Sequence, residues 1–282
     1  MSVSSVPTTA TVLPHFSTDT AAYSAPRPHG PVLVLNNKRA FRNPKPYLEK
    51  VGGAATLCCE GVPAAVPAGV QAIGRLPGMD RVRAFEWSWK GPLDGDEHLL
   101  ISLLQAPAFS ELDTLSLDGA PTRDGGVQRR SGRFLADLAE AERLPKHHLH
   151  IEALAVDMLA IRILRAWEGL GALLSWRLRQ TEGGRRWGRF LGTLPVSNQL
   201  GFLEISHSDL GDAGLAALLE SSLPNLERLV LQDVGITDVG AGQLLSWEGL
   251  ARLQWLDVSG NALSDDTVAA LRDHLGEGLR VA

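Results

Sequence analysis

A six-residue motif recurs at a nearly constant interval in the last third of the chain. It reads LGFLEI at 200–205, LERLVL at 226–231 and LQWLDV at 253–258. Each copy ends on an apolar residue, a variable residue and a second apolar residue, the spacing of a short strand with one buried face. The second leucines stand at 203, 229 and 256, so the intervals are 26 and 27 residues. A period of this length predicts stacked units that share one continuous core.

Weaker copies extend the series toward the N-terminus. Taking the residue equivalent to the second leucine as the anchor of each strand, the sequence predicts nine strands with anchors at 33, 57, 85, 115, 154, 176, 203, 229 and 256. The segment Leu279-Arg-Val281 predicts a terminal capping strand. Residues 1–30 are rich in Ser, Thr, Ala and Pro and would bury too little apolar surface to fold. We therefore expect a flexible tail over 1–30 and one repeat domain over 31–282.

One interval is longer than the others. The anchors 115 and 154 are 39 residues apart, which predicts an insertion at about 118–148. Its first part is rich in Gly and Arg and is typical of a loop. Its second part, GRFLADLAEAERL, predicts an amphipathic helix whose buried face carries Phe134, Leu135 and Leu138.

Each of the last three strands is followed by a carboxylate at an equivalent offset, at Asp212, Asp238 and Asp265. An apolar stretch with helical spacing comes next. A short acceptor side chain before a helix can accept hydrogen bonds from the backbone N–H groups of its first turn. These aspartates are therefore predicted to be N-caps rather than catalytic acids. Gly214 and Gly240 are predicted to allow close approach to the neighbouring repeat.

Together these residues resemble the leucine-rich repeat, specifically its ribonuclease-inhibitor-like subtype with a helix in every repeat. The family consensus Leu-x-x-Leu-x-Leu-x-x-Asn-x-Leu is matched by Leu253, Leu256, Val258, Asn261 and Leu263. The resemblance implies an α/β solenoid, a curved parallel sheet with helices on its convex side. It also implies that Asn261 satisfies backbone groups inside the turn. Val234 and Ser208 replace this asparagine in the two preceding repeats, so the asparagine ladder is broken.

Composition narrows the class of protein. The formal charge of −5 argues against binding nucleic acid as the main activity. The only cysteines, Cys58 and Cys59, are adjacent and poorly placed for a mutual disulfide, which favours a reducing compartment. The N-terminus lacks the pattern of a signal peptide, and no apolar run reaches the roughly 18 residues of a membrane span. We expect a cytoplasmic protein, and its Ala-, Gly- and Arg-rich composition is typical of a bacterium with GC-rich DNA.

Two clusters of side chains could form a catalytic site or a binding site. His147, His148 and His150 could supply zinc ligands to a metal-dependent enzyme, although strand alternation puts His147 on the other face. Solvated side chains at the end of the insertion are the favoured interpretation. Arg185, Arg186 and Arg189 surround Trp187 and could form a docking patch for anions or acidic proteins, or simply a solvated face. The sequence contains no G-x-x-x-x-G-K-S/T motif for phosphate binding, no G-x-S-x-G motif of serine hydrolases and no H-E-x-x-H motif of zinc proteases. We therefore expect no enzymatic activity and no cofactor.

The open face of the sheet is the predicted site of function. On each strand, the residues between and beside the last two apolar positions should point away from the core. Exposed aromatic and arginine side chains there are typical of a binding surface. The predicted partner-binding residues are Phe202, Arg228, Trp255, Arg177, Arg179, Glu204 and Asp257.

The sequence thus predicts a non-catalytic protein-binding module, a scaffold, inhibitor or recognition subunit with an unidentified protein partner. The family resemblance leaves open an alternative, a GTPase-activating or other enzyme-regulating protein.

Overall fold

The computed structural model describes residues 31–35, 43, 45–46, 56–62, 73–89, 97–118, 133–152, 158–181, 183–194, 198–221 and 223–281. The tail predicted over 1–30 and the loop predicted at the start of the insertion lie outside these residues. Within the described ranges, no helix combines the length and apolar character required to cross a membrane.

Ten parallel strands form a single sheet in which their spatial order is their order along the chain. The strands are β1 Val32–Leu35, β2 Thr56–Val62, β3 Ala84–Trp89, β4 Thr114–Asp118, β5 His148–Glu152, β6 Ser175–Arg179, β7 Phe202–Ser206, β8 Arg228–Val230, β9 Trp255–Asp257 and β10 Leu279–Arg280. Parallel neighbours require a crossover connection, and here the crossovers carry the helices. The chain is an α/β solenoid with strands on its concave side and helices on its convex side, the architecture that the resemblance to leucine-rich repeats implied.

Seven α-helices occupy the described part of the convex side. They are α1 Glu97–Leu104, α2 Arg133–Glu140, α3 Met158–Ala166, α4 Gly184–Leu191, α5 Gly211–Leu219, α6 Asp238–Ser246 and α7 Asp265–Leu275. Short 3₁₀ helices precede several strands, at Met79–Arg81, Pro107–Phe109, Glu168–Ala172, Glu248–Arg252 and Gly276–Gly278. Helix α2 begins and ends within the GRFLADLAEAERL segment, and Leu135 and Leu138 are buried as predicted.

The strand register confirms eight of the nine predicted anchors. Leu33, Leu57, Phe85, Leu115, Trp176, Leu203, Leu229 and Leu256 share one row of the sheet, and all are buried. The capping strand β10 continues the row with Leu279. The anchor predicted at Leu154 is wrong. Leu149 pairs with both Leu115 and Trp176, so the strand lies five residues earlier and the interval from Leu115 is 34 residues.

Asn261 is a structural residue, as predicted. Its Oδ1 accepts hydrogen bonds from the backbone N–H groups of Val234 and Ile236, at 3.1 and 3.2 Å. Its Nδ2 donates to the carbonyl oxygens of Leu231 and Val258, at 2.6 and 2.8 Å. One side chain therefore ties the turn after β9 to the turn after β8.

The aspartates predicted to be N-caps do not cap their own helices. Asp212 Oδ1 accepts from the backbone N–H groups of Thr237 and Gly240, at 2.8 and 3.1 Å, and both belong to the next repeat. Asp238 Oδ1 likewise accepts from Ser264 N at 2.8 Å. The N-caps of α6 and α7 are Thr237 and Ser264. The prediction was wrong because a solenoid stacks the first turns of neighbouring helices, which puts Asp212 and Asp238 beside the N-caps of the next repeats.

Large aromatic side chains fill the core beneath β6 and α4. The rings of Trp176, Trp187 and Phe190 meet edge to face, with centroid separations of 5.7 to 5.9 Å. Trp187 is fully buried, so it does not contribute to the surface patch predicted around it. A buried indole at this position instead fixes α4 against the sheet.

Candidate functional site

The concave face carries a central row of side chains, one from each of strands β2 to β10. The register aligns Cys58, Glu86, Ser116, His150, Arg177, Glu204, Val230, Asp257 and Arg280. Each of these residues alternates with the buried anchors, because successive side chains of a strand point to opposite faces. Neighbouring strands lie about 4.8 Å apart, so consecutive members of this row are within contact distance.

An ion-pair network occupies the middle of this face. Arg177 Nε donates to Glu204 Oε2 at 2.6 Å, and both side chains are nearly buried, with 9% and 6% exposure. Ser206 Oγ donates to the second carboxylate oxygen at 2.8 Å. A charged pair with this little access to water is held by its partners in one geometry. Arg177 and Glu204, both predicted partner-binding residues, therefore act mainly as a rigid support.

Arg179 extends the network toward solvent. Its Nε lies 3.3 Å from Glu204 Oε1, without hydrogen-bond alignment, and its Nη1 lies 3.6 Å from Glu152 Oε2. The Arg179 and Glu152 side chains are each about one-third exposed, at 30% and 32%. These two residues present charge that a partner could reach.

Arg228 and Trp255 form the second partly exposed feature. They pair directly across β8 and β9, and the guanidinium carbon of Arg228 lies 5.5 Å from the centre of the Trp255 ring. This is a cation–π contact, which holds both long side chains in place. Arginine and tryptophan are the residue types most enriched at binding hot spots.

Besides Arg177 and Glu204, two more of the predicted binding residues are buried. Phe202 retains only 3% of its surface, and Asp257 retains none. On an inward-curving sheet, side chains of adjacent strands converge, so a residue in the middle of a row is covered by its neighbours. Asp257 instead stabilises the turn that follows β9. Its Oδ1 accepts hydrogen bonds from the backbone N–H and the hydroxyl of Ser259, at 2.9 and 2.6 Å.

Strands β3 to β5 add a group of acids that the sequence reasoning did not identify. Glu86, Asp118 and Glu152 lie on adjacent strands of the concave face. Burial, and then the charge of Glu152, raise the pKa of Asp118 to about 6. The signal was present in the alternation of TLSLD and HLHIE, whose last residues fall on the same face. Strands β3, β4 and β5 of the concave face therefore carry acidic groups, and the next strand, β6, carries basic groups.

The histidines are divided as strand alternation predicts. His148 Nδ1 and His150 Nε2 both contact Ser175 Oγ, at 2.8 and 3.2 Å, while His147 lies 3.2 Å from Asp113. Burial, with the charge of His147, lowers the pKa of His148 to about 4. Burial, followed by the charge of Arg177, lowers the pKa of His150 well below its usual value. Among the described residues, no group of three or more His, Cys, Asp or Glu side chains is placed to hold a metal ion.

Comparison with known proteins identifies no family. No family model and no curated protein matches the chain. A protein from Bacteroides fragilis of known structure aligns over 79% of this chain and 73% of its own, with 14% identity and a TM-score of 0.49. The yeast Rad7 and Elc1 complex aligns over 80% and 68%, with 14% identity and a TM-score of 0.41. At these values neither similarity carries information about function.

Proposed function

We propose that this protein is a non-catalytic protein-binding module whose partner binds the concave face around Arg228, Trp255 and Arg179. The observation that carries the proposal is the Arg228–Trp255 stack, which is partly exposed beside a nearly buried ion-pair network. Side chains that are already fixed lose little conformational entropy when a partner binds. The stack is therefore a preorganised anchor of the type that dominates protein interfaces.

The charge pattern describes the partner's complementary surface. Asp118 and Glu152 give β4 and β5 negative charge, whereas Arg179 and Arg228 give β6 and β8 positive charge. A matching partner presents basic groups toward β4 and β5 and acidic or aromatic groups toward β6 to β9. Such complementarity mainly sets the association rate and the register of binding.

Among the described residues, the contact of a serine hydroxyl with two imidazoles resembles a nucleophile with its base, and its burial supports a non-catalytic role. Ser175 Oγ contacts the imidazoles of His148 and His150, but Ser175 is only 1% exposed. A nucleophile must come within hydrogen-bond reach of its substrate. A substrate carbonyl has no access to an oxygen buried this deeply, so we assign the trio a structural role.

We also propose that the repeats belong to the ribonuclease-inhibitor-like subtype. Each interval from β6 to β9 contains an α-helix, and the anchors of these strands are 26 or 27 residues apart. Cys58 and Cys59 are buried and form no disulfide, which is consistent with the proposed cytoplasmic location. Bacterial origin remains a proposal that rests on composition.

The test is affinity capture from a bacterial lysate, using the wild-type protein and surface variants at equal concentration. We expect Arg228→Ala and Trp255→Ala each to reduce capture of a specific protein. Once the affinity of that protein is measured, each variant should lose at least about 2 kcal/mol of binding free energy. Arg272→Ala removes an exposed arginine from α7 and is the matched control. The melting temperature should change little in all three variants.

Three results would contradict the proposal. One is a specific partner that binds both concave-face variants as tightly as the wild type. Another is that Arg272→Ala reduces capture as much as the two concave-face variants do. A third is that the captured protein is a GTPase whose phosphate release is accelerated by the wild-type protein, because this would indicate an enzyme regulator.

A further inference from the structure

A groove runs between two neighbouring helices on the convex side, away from the concave face. It lies between α3 and α4 and has a volume of about 650 Å³. Ligand pockets in proteins commonly fall in the range of about 300–1,000 Å³. The lining residues are Ile161, Arg162, Arg165, Arg186, Arg189, Phe190 and Thr193.

The groove exists because α4 packs tightly on its other side. Gly184 and Gly188 lie on one face of α4, and the C-cap residue Gly192 continues the same four-residue spacing. A Cβ atom at Gly188 would overlap the carbonyl oxygen of Gly214 on α5, and a Cβ at Gly192 would overlap that of Ala217. The glycines thus let α4 approach the α5 backbone. Helix α3 has no equivalent close approach to α4, and this pair is the most loosely packed of the consecutive helices.

Four arginines line the groove in two matched pairs. Arg162 and Arg165 lie on one face of α3, and Arg186 and Arg189 lie on the facing side of α4. All four are exposed. In the described part of the chain, none of the four guanidinium groups forms an ion pair or a side-chain hydrogen bond. Four like charges therefore converge on one concavity in a chain whose formal net charge is −5.

The floor of the groove is apolar. Ile161 and Phe190 line it and are nearly buried, at 6% and 3% exposure. An apolar floor between charged walls fits a ligand with acidic groups along its edges and apolar side chains along its centre. Binding such a ligand would remove apolar surface from water and relieve the repulsion among the arginines.

We propose that this groove docks an acidic amphipathic segment of a partner protein. Recognition of an amphipathic helix in an apolar groove is a common mode of peptide binding. Nucleic-acid phosphates would engage the arginines but leave the apolar floor unused. A membrane surface would require apolar side chains that protrude, whereas Ile161 and Phe190 are recessed. The proposed site is separate from the concave face and supplies a second docking surface.

The test measures binding of a fluorescent peptide to the full chain by anisotropy. The probe is an amphipathic helix of about 16 residues, roughly four turns, with Leu and Phe on one face and Glu on the other. We expect the double variant Arg165→Glu with Arg189→Glu to raise its Kd by about tenfold or more. The control, Arg81→Glu with Arg272→Glu, makes the same change in net charge at exposed positions outside the groove and should bind as the wild type does.

Further probes separate this site from general attraction of anions. A peptide with the same glutamates but Ser and Gln in place of the apolar face should bind much more weakly. The concave-face variant Arg228→Ala should bind the amphipathic probe normally, so failure of the concave-face proposal would leave this one intact. Equal binding of the two peptides, or equal loss in the control variant, would overturn the proposal. Tighter binding to duplex DNA or to phosphatidylserine vesicles would also overturn it.

Discussion

Replacing Asn261 with alanine should destabilise the protein far more than the loss of a surface amide does. The side chain makes two hydrogen bonds through Oδ1, to Val234 N and Ile236 N, and two short ones through Nδ2, to Leu231 O and Val258 O. At a net value of about 1 kcal/mol per bond, four bonds sum to about 4 kcal/mol, and water entering this part-buried turn lowers the sum to about 2–3 kcal/mol. No other residue type restores both acceptor and donor roles in this geometry.

Urea unfolding followed by tryptophan fluorescence gives the change in the free energy of unfolding. The matched control is Asn225→Ala, because Asn225 donates a single hydrogen bond, to Asn198 O at 2.9 Å. We expect the control to lose about 1 kcal/mol or less. Asn261→Asp keeps the acceptor but places a carboxylate oxygen near two carbonyl oxygens, so it should be at least as unstable as the alanine variant at neutral pH.

Hydrogen exchange then localises the effect. The amide protons of Val234 and Ile236 should exchange faster in Asn261→Ala, whereas the amides of β6 should change little. Wild-type stability with unchanged protection of these two amides would refute the argument from hydrogen bonds. Wild-type stability combined with lost partner binding would instead make Asn261 a residue of a binding site.

Two further predictions concern carboxylates. Because the folded-state pKa of Asp118 is raised from 3.8 to about 6, its contribution to stability is full below the unfolded pKa and is lost as the pH rises through 6. Asp118→Asn should therefore stabilise the protein by about 2–3 kcal/mol more at about pH 8 than at about pH 4, and equal effects at both pH values in urea titrations would exclude the shift. Asp212→Ala should cost about 1–2 kcal/mol through the lost bonds to Thr237 and Gly240, whereas the exposed neighbour Asp209→Ala should be neutral in the same assay. Equal losses in these two variants would indicate a general charge effect.

The sequence predicts the sheet well because strand periodicity depends on local pattern alone. Leu203, Leu229 and Leu256 are buried where an apolar-x-apolar motif must face a core. The register near 150 was ambiguous for the same reason. Leu149-His-Ile151 and Leu154-Ala-Val156 both have this alternation, and only the pairing with Leu115 and Trp176 selects the first.

The candidate site was less predictable because exposure depends on neighbours that the local pattern does not contain. Strand alternation places Phe202 and Trp255 in one row, yet one is buried and the other is partly exposed. Likewise, the raised pKa of Asp118 depends first on its burial and then on the charge of Glu152, which is 34 residues away in the sequence and on the adjacent strand. Contacts between strands decide both properties.

The aspartates that reach into the next repeat have a consequence for how this solenoid can be divided. A cut placed between α5 and β8 leaves Asp212 without its donors on one fragment and the start of α6 without its acceptor on the other. The same holds for Asp238 and Ser264. A transferable segment of this chain would therefore run from one carboxylate to the next, rather than from strand to strand. A deletion of the residues from Asp212 to Thr237 would remove the carboxylate together with its Thr237 donor and would keep the bond from Ser264 to Asp238, since an aspartate then replaces an aspartate at the seam.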